Sequence, residues 1–177
     1  SHLSEDITYP ILVIGHARMA TNGDAERYAN NQPILTNSVI GVHNGIAVNH
    51  EDLWRRNPEL TRDAQVDSEV IFSLLDCSLM TQNAGLKHLS NVLMDIDGQC
   101  SVLAFHKEYQ ALLYATNNGS LYMMSGANDI PLVLGSEKRI IKRALTRFKK
   151  GLCDRVAIKK IQPNTCLLYT SDAADEE

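Results

Sequence analysis

The stretch CSVLAFHKEYQALLYATNNGSLYMM, residues 100–124, indicates the fold. It contains three short runs of aliphatic, aromatic and β-branched residues, at Cys100 to Phe105, Gln110 to Ala115 and Leu121 to Met124. Polar residues separate the runs, and the second link contains the turn-forming Asn117-Asn118-Gly119. Short apolar runs joined by such links are typical of antiparallel strands. The stretch therefore predicts three consecutive strands.

Further strands and helices are predicted on both sides of this stretch. Short apolar runs bounded by turn residues predict strands at Ile11 to Ile14, Ser38 to Val42, Leu132 to Leu134 and Arg155 to Ile161. Apolar residues at helical spacing predict a helix from Leu86 to Leu93 and others capped by Asn49, Asp67 and Ser136. Strands with short links and grouped helices argue for an α+β fold with a largely antiparallel sheet.

The composition is that of one packed domain. The chain has 177 residues, of which 44% are hydrophobic, and a formal net charge of -4. No stretch gathers Lys and Arg densely, which argues against nucleic acid and anionic membranes as partners. No apolar run is long enough to span a bilayer, and Ser1 to Pro10 does not resemble a signal peptide. Four scattered cysteines without a C-x-x-C pair favour a reducing, cytoplasmic location.

No cofactor or metal is indicated. His50-Glu51 begins a H-E-x-x-H pattern, but Trp54 occupies the position of the second histidine. The remaining histidines lack ligand spacing. The sequence contains neither a Walker loop nor a G-x-G-x-x-G pattern, so nucleotide binding has no support.

The polar segment Gly15 to Gly23 places Arg18 in a loop after a predicted strand. A guanidinium there can bind a carboxylate through two parallel hydrogen bonds, which fixes its orientation. The alternative is an ordinary structural ion pair, the more common role of such an arginine.

A second segment, Val42-His43-Asn44-Gly45-Ile46, also allows two interpretations. Asn-Gly after a strand is the commonest signal for a hairpin turn. Alternatively, the side-chain N–H of Asn44 and the backbone N–H of Gly45 converge on one point and form an oxyanion hole for acyl transfer.

The third segment, Val66-Asp67-Ser68-Glu69-Val70, places Asp67 at a predicted loop-to-helix junction. There it can cap the helix, which is worth roughly 1 kcal/mol. Its carboxylate could instead hold a substrate ammonium, or it could do both.

In this order and at this spacing, the three segments resemble the glutaminase domain of class II amidotransferases, which use an N-terminal nucleophile. The likeness is greatest to the glucosamine-6-phosphate synthase branch and covers about Ile11 to Thr165. It implies a four-layer αββα sandwich of the N-terminal-nucleophile hydrolase type, with largely antiparallel sheets and its N-terminal part missing. It also implies hydrolysis of glutamine to glutamate and ammonia, without a cofactor.

The resemblance implies roles for six residues. Arg18, helped by Thr21 and the backbone near Asn22, would bind the α-carboxylate of glutamine; Asp67 would bind its α-ammonium; Asn44 and Gly45 would stabilise the oxyanion. These residues are therefore expected to surround one cleft. Two departures affect the glutamine pocket, because the family more often has Trp at Met19 and His at Asn22.

The family's nucleophile is an N-terminal Cys whose free α-amine acts as the base. By the resemblance it would lie several dozen residues before Ile11, whereas this sequence begins with Ser1. Cys77, Cys100 and Cys153 cannot replace it, because their amines are in peptide bonds. We therefore expect a fragment that is inactive by itself.

The C-terminal segment is expected to have a different origin from the rest. Cys166 to Glu176 matches one reading frame of a transposon adapter used in short-read sequencing libraries. We therefore expect residues 1–165 to be a partial glutamine amidotransferase type 2 domain and residues 166–177 to be translated adapter.

The resemblance also implies partners. Ammonia would pass to a downstream synthase or isomerase domain of the same full-length chain, with a sugar phosphate as the first choice of acceptor, and a homodimer could form through that domain. The alternative is a catalytically inactive glutamine-binding or regulatory module of the same fold. Another N-terminal-nucleophile hydrolase is less well supported, because Arg18 and Asp67 together suit an α-amino acid.

Overall fold

The three strands predicted between residues 100 and 124 are present and follow one another along the chain. The computed structural model describes residues 11–17, 26–79, 85–125, 132–147 and 156–169. Its helices are α1 His50–Arg56, α2 Asp67–Leu79, α3 Gly85–Met94 and α4 Lys138–Leu145. Its strands are β1 Ile34–Leu35, β2 Val39–Ala47, β3 Gly98–His106, β4 Ala111–Thr116, β5 Tyr122–Ser125, β6 Val133–Gly135, β7 Ala157–Lys160 and β8 Thr165–Tyr169.

The strands form two antiparallel sheets. The larger sheet has the order β1-β2-β3-β4-β8, and the smaller has the order β6-β5-β7. β2 and β3 pair along their whole lengths, from Val39 opposite His106 to Ala47 opposite Gly98. This long pairing makes β2 an interior strand of the larger sheet, with β1 on its other side.

Three buried clusters separate four layers. One face of the larger sheet packs against α1, α2 and α3, and the centre of that contact is the α2 residues Val70, Ile71, Phe72 and Leu75. The opposite face packs on the smaller sheet through Tyr114, Leu121 and Ile161. The far side of the smaller sheet is covered by α4, through Ile141 and Leu145 against Met124. Alternation of side chains between the two faces of each strand produces both sheet contacts. The predicted αββα sandwich is confirmed.

Two strand predictions were wrong. Residues 11–17 form no strand, and Val13 is 84% exposed. A β-branched run becomes a strand only by pairing, and no strand in the described part of the chain pairs with it. Asn44-Gly45 does not close β2 as a hairpin turn. The strand continues to Ala47 because β3 supplies pairing partners along that whole length.

The predicted caps also differ from those observed. Asn49 precedes α1 as expected, but its side chain bonds Asp95 O at 2.8 Å and Asp97 N at 2.9 Å instead of capping the helix. The residue before α4 is Glu137 rather than Ser136.

Strand β8 includes part of the segment predicted to be translated adapter. It pairs with β4 from Leu112 opposite Tyr169 to Thr116 opposite Thr165. Its residues Cys166 and Leu168 pack against the core beneath the helices. The segment 166–169 thus forms an edge of the larger sheet. None of the helices in the described ranges is long and apolar enough to cross a membrane.

Gly41→Ala should destabilise the protein by about 1–3 kcal/mol, the usual cost of overpacking a core. A Cβ at position 41 would lie 2.6 Å from Cδ1 and 2.7 Å from Cζ of Phe72, which is fully buried and cannot move away freely. Urea unfolding measures the difference in free energy. Gly15→Ala is the control, because no atom lies within 4 Å of its added Cβ. Equal stability of the two variants would contradict this packing.

Candidate active site

The centre of the candidate site is the end of strand β2, where Asn44 and Gly45 are both exposed. Gly45 has a φ of 149°, a conformation that L side chains rarely adopt. A Cβ there would also collide with the carbonyl oxygen of Gln99 on β3. Both the backbone conformation and the close approach of β3 therefore require glycine at position 45.

Asp67 is bound directly to the same strand. It is the first residue of α2, it is 6% exposed, and its Oδ2 accepts a hydrogen bond from the backbone N–H of Ala47 at 2.7 Å. Ala47 lies two residues after Gly45. The structure thus brings Asp67 to the strand that carries Asn44 and Gly45, although at least 22 positions separate them in the sequence.

The other predicted site residues are Arg18, Thr21 and Asn22. They lie outside the described residues, as does Met19. Their expected place around the same cleft stays a prediction.

His43 lies behind Asn44 and Gly45, on the helix-facing side of the sheet, and is 2% exposed. Its Nδ1 is 3.0 Å from Ser68 Oγ, and its Nε2 is 3.4 Å from the carbonyl oxygen of Gln99. Burial lowers the pKa of His43 from its ordinary value of 6.5. The negative charge of Asp67 opposes this effect on the pKa and His16 adds to it. The imidazole is therefore neutral at neutral pH.

Sequence analysis did not identify Gln32 as part of this region. Its Oε1 accepts a hydrogen bond from His43 N at 2.6 Å, and its Nε2 donates one to His43 O at 2.9 Å. The side-chain amide therefore takes the place of a strand residue beside β2. Its position continues the β1 register, in which Ile34 lies opposite Gly41. No local pattern predicts this contact, since it joins a side chain to the backbone of a residue 11 positions away.

A row of polar side chains lies beside Asn44 and was also not predicted. Asn44 is opposite Ser101, and Ser101 is opposite Thr116, so the three share one face of the sheet. The Ser101 and Thr116 oxygens are 2.7 Å apart, and each is 3.0 Å from Asn118 Oδ1. Ser101 and Thr116 are buried. The buried hydroxyls of Ser101 and Thr116 are therefore hydrogen-bonded, and they lie next to the exposed Asn44.

The described cysteines do not have the environment of a nucleophile. Cys100 lies opposite Gly45 but is buried, and burial with a contribution from Asp67 raises its pKa to about 12. Burial also raises the pKa of Cys77 on α2. A reactive thiol needs a lowered pKa, because the thiolate is the attacking form. Within the described ranges, no group of three or more His, Cys, Asp or Glu could hold a metal ion.

Comparisons with known proteins agree with this fold. The family described as "Glutamine amidotransferase domain" matches residues 16–143, which include Arg18, Asn44, Gly45 and Asp67. The glutamine--fructose-6-phosphate aminotransferase of Zymomonas mobilis is 33% identical over 128 residues, 70% of this chain and 20% of that protein. The corresponding protein of Helicobacter pylori is 31% identical over 120 residues, 66% of this chain and 20% of that protein.

Solved structures share the fold. The glutamine phosphoribosylpyrophosphate amidotransferase of B. subtilis, complexed with ADP and GMP, superimposes with a TM-score of 0.62 at 19% identity. The match covers 89% of this chain and 32% of that one. The fold is therefore that of the N-terminal-nucleophile amidotransferases. The chain belongs to the glutamine amidotransferase domain family, and it spans about a fifth of the length of the curated relatives that it matches.

His43 should make the folded state less stable as the pH falls from about 6.5 toward 5. Because burial lowers its pKa in the folded state, the unfolded chain takes up the proton first, and stability present above pH 6.5 is lost on acidification. The slope contributed is at most about 1.4 kcal/mol per pH unit. Urea unfolding across this range measures it, and His43→Gln should flatten the dependence. His106, whose pKa burial also lowers, contributes in the same direction and should leave a residual slope.

Proposed function

We propose that this chain is part of the glutaminase domain of a class II glutamine amidotransferase, which hydrolyses glutamine to glutamate and ammonia. The observation that carries this proposal is the 2.7 Å hydrogen bond that holds the Asp67 carboxylate beside the strand end with Asn44 and Gly45. It supports a site in which a negative charge and oxyanion donors face one amino-acid substrate. The family membership supports the same chemistry.

Each residue has a role that follows from its chemistry. The Asn44 side-chain N–H and the Gly45 backbone N–H stabilise the oxyanion that forms when the amide is attacked. Asp67, with one oxygen on Ala47 N, uses its charge to hold the α-ammonium. Arg18 binds the α-carboxylate, together with Thr21 and the backbone near Asn22. Binding of both α-groups holds the Cα end of glutamine and so directs its side-chain amide toward the oxyanion donors.

The nucleophile in this proposal is an N-terminal Cys, with its own α-amine as the base. In the 177-residue polypeptide, position 1 is Ser1. Ammonia would be transferred to an acceptor on a further domain of a longer chain, which could also form a homodimer. Fructose 6-phosphate, a sugar phosphate, is the proposed acceptor, because the relatives from Zymomonas mobilis and Helicobacter pylori are glutamine--fructose-6-phosphate aminotransferases. We place the protein in the cytoplasm.

The second candidate is a glutamine-binding or regulatory module without catalysis. The departures at Met19 and Asn22, in the segment that would shape the glutamine pocket, favour it. Calorimetry with glutamine and an ammonia-release assay on the full-length protein separate the two. Ammonia release supports the enzyme, and glutamine binding without ammonia release supports the module. Absence of both binding and release would contradict both candidates.

The 177-residue polypeptide should release no ammonia from glutamine above background, because Cys77, Cys100 and Cys153 each lack a free α-amine. A coupled glutamate dehydrogenase assay measures the release. Turnover that survives replacement of Cys77, Cys100 and Cys153 by serine would refute this account of the nucleophile.

Asp67→Asn should lower kcat/KM for glutamine about ten- to a hundred-fold in the full-length enzyme, because a charge-assisted hydrogen bond is worth roughly 1.5–3 kcal/mol. Stability should change little, since the Asn carbonyl can still accept from Ala47 N. The matched control is Asp76→Asn. Asp76 is equally buried on α2 and accepts a hydrogen bond from Ser38 N at 3.3 Å, at the start of β2.

Steady-state kinetics and thermal unfolding of both variants provide the comparison. The Asp76→Asn enzyme should keep its glutamine kinetics. Unchanged kinetics in a stable Asp67→Asn enzyme would leave Asp67 as a structural residue of α2.

A further inference from the structure

We infer that His43 is a positioning residue that, as the neutral Nε2–H tautomer, fixes the β2 backbone at Asn44 and Gly45 relative to Asp67. The inference rests on the proposed function and adds to it a residue that does not touch the substrate. It is carried by the hydrogen bonds that join His43 to Gln32, Ser68 and Gln99.

The tautomer follows from the partners of the two ring nitrogens. The carbonyl oxygen of Gln99, 3.4 Å from His43 Nε2, can only accept, so Nε2 carries the proton. In a neutral ring Nδ1 is then an acceptor, and the Ser68 hydroxyl at 3.0 Å must donate to it. The ring orientation is thereby fixed at both ends.

Gln32 completes the same network. Its Oε1 accepts from His43 N, so its Nε2 is the donor to His43 O. The second Nε2 hydrogen is available to Ser68 Oγ at 3.4 Å. Donation therefore runs in one direction, from Gln32 to Ser68, from Ser68 to His43 and from His43 to Gln99. The inverted tautomer would leave the unprotonated Nε2 facing the Gln99 carbonyl oxygen, so that two acceptors would meet.

Gly45 makes room for this arrangement. A Cβ at position 45 would lie 2.9 Å from His43 Nε2 and would overlap the Gln99 carbonyl that the ring contacts. Side chains alternate between the faces of a strand, so His43 faces the helices while Asn44 faces the opposite side. The hydrogen bonds of His43 therefore act on the backbone that directs the Asn44 carboxamide.

The first turn of α2 holds β2 on both sides of this pair. Ser68 reaches His43 before Asn44 and Gly45, and Asp67 reaches Ala47 after them. Because Asp67 and Ser68 are consecutive, the same turn of α2 carries the proposed ammonium ligand and holds the strand that carries the proposed oxyanion donors. Loss of the Ser68 hydroxyl would remove one of the two hydrogen bonds by which the first turn of α2 holds β2.

The tautomer can be measured on the 177-residue chain itself. Long-range proton–nitrogen NMR of a histidine-labelled sample should show His43 at neutral pH with Nε2 protonated and Nδ1 unprotonated, its signal assigned by its loss in His43→Gln. Ser68→Ala should shift the Nδ1 resonance, and Ser73→Ala, another buried serine of α2, should not. An Nδ1–H tautomer or an imidazolium would overturn the inference.

The effect on catalysis is tested in the full-length enzyme. Ser68→Ala should lower kcat for glutamine about ten-fold with little change in KM, Ser68→Thr should restore most of it, and Ser73→Ala should behave as wild type. An active wild type with unchanged kcat in a stable Ser68→Ala enzyme would overturn the positioning role alone. A wild type that releases no ammonia would overturn the proposed function, and the catalytic part of this inference with it, whatever the NMR result.

Discussion

The hydrogen bond between the Asp67 carboxylate and the Ala47 backbone N–H joins helix α2 to strand β2, and much of the site depends on it. A buried carboxylate is costly unless it is hydrogen-bonded, and a charge-assisted bond of 2.7 Å meets that requirement. Asp76 makes a corresponding contact with Ser38 N at the other end of β2. The helix is thus held to the strand near both ends of the strand.

Packing between these two contacts keeps the helix and the strand close. Phe72 of α2 lies against Gly41, whose missing side chain lets the ring approach the strand. Hydrophobic burial brings α2 to the sheet without specifying a register, because it is non-directional. The carboxylates and the Ser68–His43 contact then determine which residues of α2 lie against His43 and Ala47, on either side of Asn44 and Gly45. The same contacts that stabilise two layers of the sandwich therefore place the proposed substrate ligands.

Much of the architecture could be predicted from local patterns. Strands β3 to β7 and helices α1 to α4 lie where alternation, helical spacing and turn residues indicated them, within a few residues. Strand β1 is too short to produce a pattern, and the run Ile11 to Ile14 has a strong strand pattern without forming a strand. Pairing partners, which decide strands, are distant in the sequence and invisible to a local pattern.

The residue types of the site were determined by the sequence alone, through segments that carry Asn44, Gly45 and Asp67 in the family's order. The tertiary structure decided the backbone conformation and the contacts of these residues. Pairing with β3 made Asn44 and Gly45 part of a strand instead of a turn, and the approach of Ala47 N drew the Asp67 carboxylate to the sheet. It also brought Gln32, Ser68 and Gln99 into contact with His43, although they are between 11 and 56 positions away in the sequence. Hydrogen bonds depend on distances between atoms, and only the folded chain brings those atoms together.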